Sequence, residues 1–125
     1  MEPHILIIED DAELGPLFQE LISESGLQCE LVASGEQAIA RLRDFTPGGV
    51  LLDIHLPGVS GLEVLNHIRS DKRLEHVFVA VVTADSMRAK QASSLADRCL
   101  IKPLDYADLQ ELTEVIKERL RSGHH

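Results

Sequence analysis

Five short apolar runs, most of them followed by a stretch of helical periodicity, leave this chain few ways to fold. The runs are His4-Ile5-Leu6-Ile7-Ile8, Leu27 to Val32, Gly49-Val50-Leu51-Leu52, Val77-Phe78-Val79-Ala80-Val81-Val82 and Cys99-Leu100-Ile101. Runs of this length, rich in β-branched residues, match strands buried on both faces. The second is more mixed and belongs near a sheet edge. Between the runs, apolar residues recur at helical spacing. They are Leu14, Leu17, Phe18, Leu21 and Ile22, then Ala38, Ile39 and Leu42, then Leu62, Leu65 and Ile68, and last Leu109, Leu112, Val115 or Ile116, and Leu120. Ser34-Gly35-Glu36-Gln37 and Ser60-Gly61-Leu62-Glu63 have capping-box spacing, and Asp105 is placed to cap the final helix. Gly15-Pro16 predicts an irregular first turn in the first helix. Ser86 to Leu95 predicts a helix poor in large apolar residues and therefore weakly packed.

Strand and helix alternate five times with no linker or repeat, which implies a parallel sheet covered by helices on both faces through right-handed crossovers. The expected fold is flavodoxin-like, a (βα)5 three-layer α/β sandwich with strand order 2-1-3-4-5. Residues 1–121 then form one domain, and 122–125, ending in His124 and His125, are expected to be a linker and the start of a purification tag. The net charge of −9, from 12 basic and 21 acidic residues, disfavours nucleic-acid backbone binding. No apolar run approaches the roughly 20 residues of a membrane span. Cys29 and Cys99 fall on opposite edge strands, too far apart to pair, and are expected to be reduced thiols of a cytoplasmic protein.

Chemistry gathers where the strands end. The first run is followed by Glu9 and Asp10, the third by Asp53, the fourth by Thr83, and the fifth by Lys102. In a parallel sheet these residues share one edge, where ligands of such folds collect. Three carboxylates crowded there repel one another, and a hard divalent cation, Mg²⁺ before others, relieves the repulsion. The Thr83 hydroxyl and the Lys102 ammonium suit the oxygens of a phosphoryl group, whose transfer depends mostly on positioning and charge neutralisation. Aspartate can itself accept phosphate as an acyl phosphate.

Ile5-Leu6-Ile7-Ile8-Glu9-Asp10-Asp11, Leu52-Asp53-Ile54-His55-Leu56-Pro57-Gly58-Val59-Ser60-Gly61, Val81-Val82-Thr83-Ala84 and Leu100-Ile101-Lys102-Pro103, in this order, resemble a response-regulator receiver domain. The likeness runs from about His4 to Leu120. It implies that Asp53 accepts a phosphoryl group from a sensor histidine kinase or a histidine phosphotransfer protein and later loses it by self-dephosphorylation. It further implies Mg²⁺ (or Mn²⁺) held by Asp10, Asp53 and the backbone carbonyl of His55, with Glu9 acting mainly through water. Thr83 and Lys102 would bind phosphoryl oxygens, the small Ala84 would leave access, and the Lys102-Pro103 bond would be cis. An effector domain or downstream protein would dock on the face made by the fourth helix, fifth strand and fifth helix.

The family usually has Tyr, Phe or His three residues before the lysine, and this chain has Cys99. Without that ring, the signal travels through the fourth helix and its preceding loop, or the domain mainly relays phosphate. His55 and Asp85, two residues beyond Asp53 and Thr83, are expected to orient or exclude the attacking water. Glu111-Leu112 stands where one DNA-binding subclass of regulators carries Ala-Arg, which disfavours that subclass. Asp11, Asp105 and Asp108 are expected at helix starts, and Arg41, Arg43, Arg69, Lys72 and Arg73 on solvated helix faces. Two rival readings are a metal-dependent phosphatase of related fold and a receiver-like interaction module that turns over no phosphate. The first lacks the acid/base Asp expected where His55 stands, and the complete set Glu9, Asp10, Asp53, Thr83 and Lys102 counts against the second.

Overall fold

The computed structural model describes residues 4–122, so His124 and His125 lie outside the described residues. Its elements run β1 (His4–Ile8), α1 (Leu14–Glu24), β2 (Gln28–Val32), α2 (Gly35–Asp44), β3 (Gly49–Asp53), α3 (Gly61–Ser70), β4 (Phe78–Thr83), α4 (Ser86–Ala92), β5 (Arg98–Ile101) and α5 (Tyr106–Arg121). The strands form one parallel sheet in the order β2-β1-β3-β4-β5, as the alternation predicts. Strand periodicity sends neighbouring residues to opposite faces. Leu6, Ile8, Val50, Leu52, Val79 and Val81 therefore pack with Ala38, Leu42, Val64, Leu65 and Ile68. Ile5, Ile7, Leu51, Phe78, Ala80 and Val82 pack on the other side with Phe18, Ile22, Leu109, Leu112 and Ile116. Every residue of β3 and β4 is buried, so the ends of these strands cannot drift.

Helix starts follow the expected capping chemistry, with local adjustments. The Ser34 and Ser60 side chains accept from the amides of Gln37 and Glu63, and Asp105 with Asp108 forms a reciprocal capping box. At α1 the expected irregularity becomes a turn over Ala12 and Glu13, closed by Asp11, whose Oδ1 accepts from Glu13 N at 2.8 Å and Leu14 N at 2.9 Å. Pro16 then falls in the first helical turn, where its missing N–H has no intrahelical partner to lose. The α1 helix turns Phe18 and Ile22 inward and leaves Leu17 partly exposed, while α3 buries Val64 beside Leu65 and Ile68 and leaves Leu62 half-buried. The α4 helix stops at Ala92 rather than Leu95, because Ser93 Oγ donates to Lys90 O and the chain turns back through Leu95 N to Ala92 O. At the other end of the chain Ser122 caps α5 through its N–H to Glu118 O.

Arg69 departs from the solvated face expected of it, while Arg41 and Arg73 stay solvent-accessible and reach partners beyond their own segments. Arg69, with a side chain only 17% exposed, donates to Leu95 O, Glu75 O and Val77 O and pairs with Asp97 at 3.0 Å. Asp97 also accepts from Val79 N at 2.8 Å, so this clamp ties the end of α3 to the starts of β4 and β5. Arg41 pairs with Glu30 of β2 and lies over the Phe45 ring, and Arg73 reaches Thr46 and the Leu42 carbonyl. Apart from Phe45, which caps Arg41's own helix, the partners lie outside the helices that carry Arg41 and Arg69, so periodicity cannot see most of these contacts. Truncating Arg69 to Ala strands several carbonyls and the Asp97 carboxylate, and should cost about 2–4 kcal/mol in denaturant unfolding. Lys72→Ala should stay within about 0.5 kcal/mol of the parent. Equal midpoints for the two variants would contradict the clamp.

Candidate functional site

The strand register brings the expected residues to one edge. Ile8 pairs with Leu52, Asp53 with Val82, and Thr83 with Ile101, so the residues that follow each strand face one cleft. That cleft, about 630 Å³, is lined by Glu9, Asp10, Asp11, Asp53, His55, Thr83, Ala84, Asp85, Ser86 and Lys102. Every residue expected at the site lines it except Cys99 and Pro103. The loop after β3 is able to turn tightly beneath Asp53 because Gly61 has no side chain: a Cβ there would meet the Asp53 carbonyl and Ile54 Cα. Gly58, at φ +69, takes the left-handed conformation that glycine permits.

The charges are close and poorly hydrated. Glu9 and Asp53 are 3% and 4% exposed, and with the more open Asp10 they present oxygens all within 4.8 Å of one another. Lys102 Nζ lies 3.4 Å from both Glu9 Oε1 and Asp53 Oδ2. Burial pushes the Glu9 carboxyl up to about 7, and hydrogen bonding to Asp53 and its like charge push the same way, against the Asp11 amide and Lys102. Burial alone would lower the Lys102 pKa, but Asp53 and Glu9 outweigh it and hold the ammonium above its usual range. The His55 amide donates to Asp53 Oδ1 at 3.0 Å, so each Asp53 oxygen has a fixed donor. Thr83 is fully buried, its Oγ1 accepting from Asp85 N at 3.1 Å. The Lys102-Pro103 peptide is cis, as the resemblance implies.

Two residues take roles that sequence reasoning did not anticipate. The Asp85 carboxylate caps α4, accepting from Met87 N and Arg88 N, and pairs with Arg88. The Asp85 side chain, 45% exposed, also lines the cleft. His55 is exposed, and it is its backbone amide that touches Asp53. Asp85 precedes Ser86 at a helix start, a signal that could have assigned the cap. Cys99 is half-buried against the α4 side of the sheet, its Sγ 3.7 Å from Ala89 O, and burial raises its thiol pKa. Both cysteines are free.

An open cleft floored by buried carboxylates and one ammonium thus sits at the carboxyl edge of a parallel sheet of order 2-1-3-4-5. The model of the response regulator receiver domain family matches residues 5–114, and the chain belongs to that family. Among its relatives, the polar-differentiation response regulator DivK of Brucella ovis is 37% identical over 91 residues, spanning 73% of this chain and 74% of that protein. A CheY-like response regulator receiver domain from Methylobacillus flagellatus superposes with a TM-score of 0.79 at 28% identity, covering 93% of this chain and 99% of that one. The receiver domain of the sensor histidine kinase PA1611 from Pseudomonas aeruginosa, solved with magnesium in its active-site cleft, has the same fold at TM-score 0.80 and 23% identity, covering 94% and 99%. The protein is thus a receiver domain of two-component signalling.

The raised Glu9 pKa has a stability consequence. Because the folded state holds this proton more tightly, stability falls as pH rises from about 4.5, the ordinary value, through about 7. The cost above that window is at most about 3 kcal/mol. In chelator, Glu9→Gln should therefore raise unfolding free energy by about 1–3 kcal/mol near pH 8 and by only a few tenths near pH 4. A pH-independent effect would contradict this assignment.

Proposed function

We propose that the chain is a phosphorylation switch in which Asp53 accepts a phosphoryl group from a phosphohistidine on a sensor histidine kinase or a histidine phosphotransfer protein. An Asp53 oxygen attacks phosphorus, the phosphorus–nitrogen bond breaks, and the imidazole nitrogen leaves with the electron pair and takes up a proton. Self-dephosphorylation is the attack of water on the acyl phosphate, which returns the Asp53 carboxylate and inorganic phosphate. The observation that carries this reading is the buried Asp53 carboxylate held between the His55 amide and Lys102 at the floor of an open cleft.

Each neighbour has a part. Lys102, already 3.4 Å from Asp53, pairs with a phosphoryl oxygen once the group is attached. Thr83 offers a hydroxyl proton to another, and the small Ala84 leaves the approach open. A divalent cation fits the donor set, since Glu9, Asp10 and Asp53 are hard oxygen ligands crowded with too little positive charge. Asp10, Asp53 and the His55 carbonyl would hold Mg²⁺ or Mn²⁺ and Glu9 would act through water. The ion supplies charge neutralisation for the phosphoryl oxygens. The PA1611 receiver, which shares this fold, is described with magnesium in its cleft. Among the described residues no helix is long and apolar enough to cross a membrane.

Incubation with Mg²⁺ and a small phosphodonor should add the mass of one phosphoryl group, and Asp53→Asn should abolish the gain. Lys102→Ala should slow phosphorylation by on the order of a hundredfold or more, the loss of one preorganised charge contact. A mass gain that persists in Asp53→Asn would overturn the assignment.

A further inference from the structure

Asp11 lines the cleft, but the carboxylate oxygens gathered within 4.8 Å of one another are those of Glu9, Asp10 and Asp53. We propose that Asp11 is a positioning residue for this cluster: its side chain locks the turn between β1 and α1, so that its own backbone amide holds the Glu9 carboxylate in place. The inference rests on the reading of the cluster as a cation site.

The hydrogen bonds of Asp11 run in both directions along the chain. Its Oδ1 accepts from Glu13 N at 2.8 Å and Leu14 N at 2.9 Å, and its carbonyl accepts from Gly15 N at 3.1 Å. Its own N–H donates to Glu9 Oε2 at 3.2 Å. Both ends of the turn are fixed on β2. At one end Glu9 N donates to Val32 O at 3.0 Å. At the other, Gly15 packs so closely on Leu31 that a Cβ would lie 3.2 Å from both of its δ carbons. Asp11 sets the path between these two anchors, and its exposed carboxylate is spent on the amides of the turn.

The direction of this one amide bears on two members of the cluster. Among the described residues, the Glu9 carboxylate accepts from the Asp11 amide on Oε2 and from Lys102 on Oε1. In the proposed reaction Lys102 turns to a phosphoryl oxygen, which leaves the Asp11 amide as the fixed donor. A glutamate has several staggered side-chain conformations, and the donor selects the one that faces the cluster. The Asp11 N–H also belongs to the planar peptide unit that carries the Asp10 carbonyl, so locking it restrains the Asp10 backbone too. Groups that orient metal ligands without touching the ion commonly change affinity by an order of magnitude or more.

Mg²⁺ titration followed by NMR of the backbone amides gives the dissociation constant of each variant, and amide exchange in chelator reports on the turn. Asp11→Ala should weaken Mg²⁺ binding on the order of tenfold and speed exchange at Glu13 and Leu14. Asp11→Asn keeps the Oδ1 acceptor and should stay within about threefold of the parent, the loss of one exposed and screened charge. The two variants lack the same charge, so the gap between them separates positioning from simple attraction of the cation. Equal losses of affinity in the two, or an Asp11→Ala protein that keeps the parent's affinity or the parent's exchange, would overturn the positioning role alone. A parent that binds no Mg²⁺ would overturn it together with the cation site.

Discussion

The repulsion among Glu9, Asp10 and Asp53 is the constraint on which the rest of the structure depends. Two of these carboxylates are nearly solvent-free, and a single ammonium, Lys102, stands between them. Isolated, such a cluster is unfavourable: burial first, and then the neighbouring Asp53, push the Glu9 carboxyl above its ordinary range. The fold sustains the cluster because the strands beneath it are buried on both faces and bring large favourable burial with them. What is unfavourable in the resting state is what makes the pole receptive to added positive charge, and in the proposed reaction it is the means of handling phosphate.

The two halves of the sheet serve different ends. Strands β1 and β3 are packed on both sides by large aliphatic residues and hold the carboxylates rigidly. On the β4–β5 side, α4 contributes only small buried side chains, although the opposite pole is fastened by Arg69 and Asp97. Stability is therefore unevenly spread, with a firmly held carboxylate cluster next to a loosely held helix. The phosphorylation switch proposed above would have a use for that contrast, since a perturbation at Asp53 would have to travel without dismantling the site that created it.

The sheet order and the cleft residues were legible in the sequence because each rests on a local rule. Buried strands announce themselves as apolar runs, and the residue ending a run in a parallel sheet has only one edge to occupy. Helix phase was less legible where apolar residues outnumbered buried positions: in α1 both Leu17 and Phe18 were candidates, and the structure selected Phe18. The Arg69–Asp97 clamp was invisible, since its partners are 28 residues apart and mostly backbone carbonyls. Asp85 was legible as a cap but its position beside Thr83 invited a catalytic reading. The bond from its amide to the Thr83 hydroxyl is a feature of backbone geometry that no pattern of residues displays.

A carboxylate cluster this crowded should gain stability when a cation neutralises it. The direct measurement is the thermal unfolding midpoint near pH 8 as Mg²⁺ is raised from chelator to millimolar levels. Binding to the folded state alone should raise the midpoint progressively and saturably, with most of the rise lost in Asp10→Asn and Asp53→Asn. A midpoint in the parent that does not move with Mg²⁺, or a rise of equal size in both variants, would contradict it.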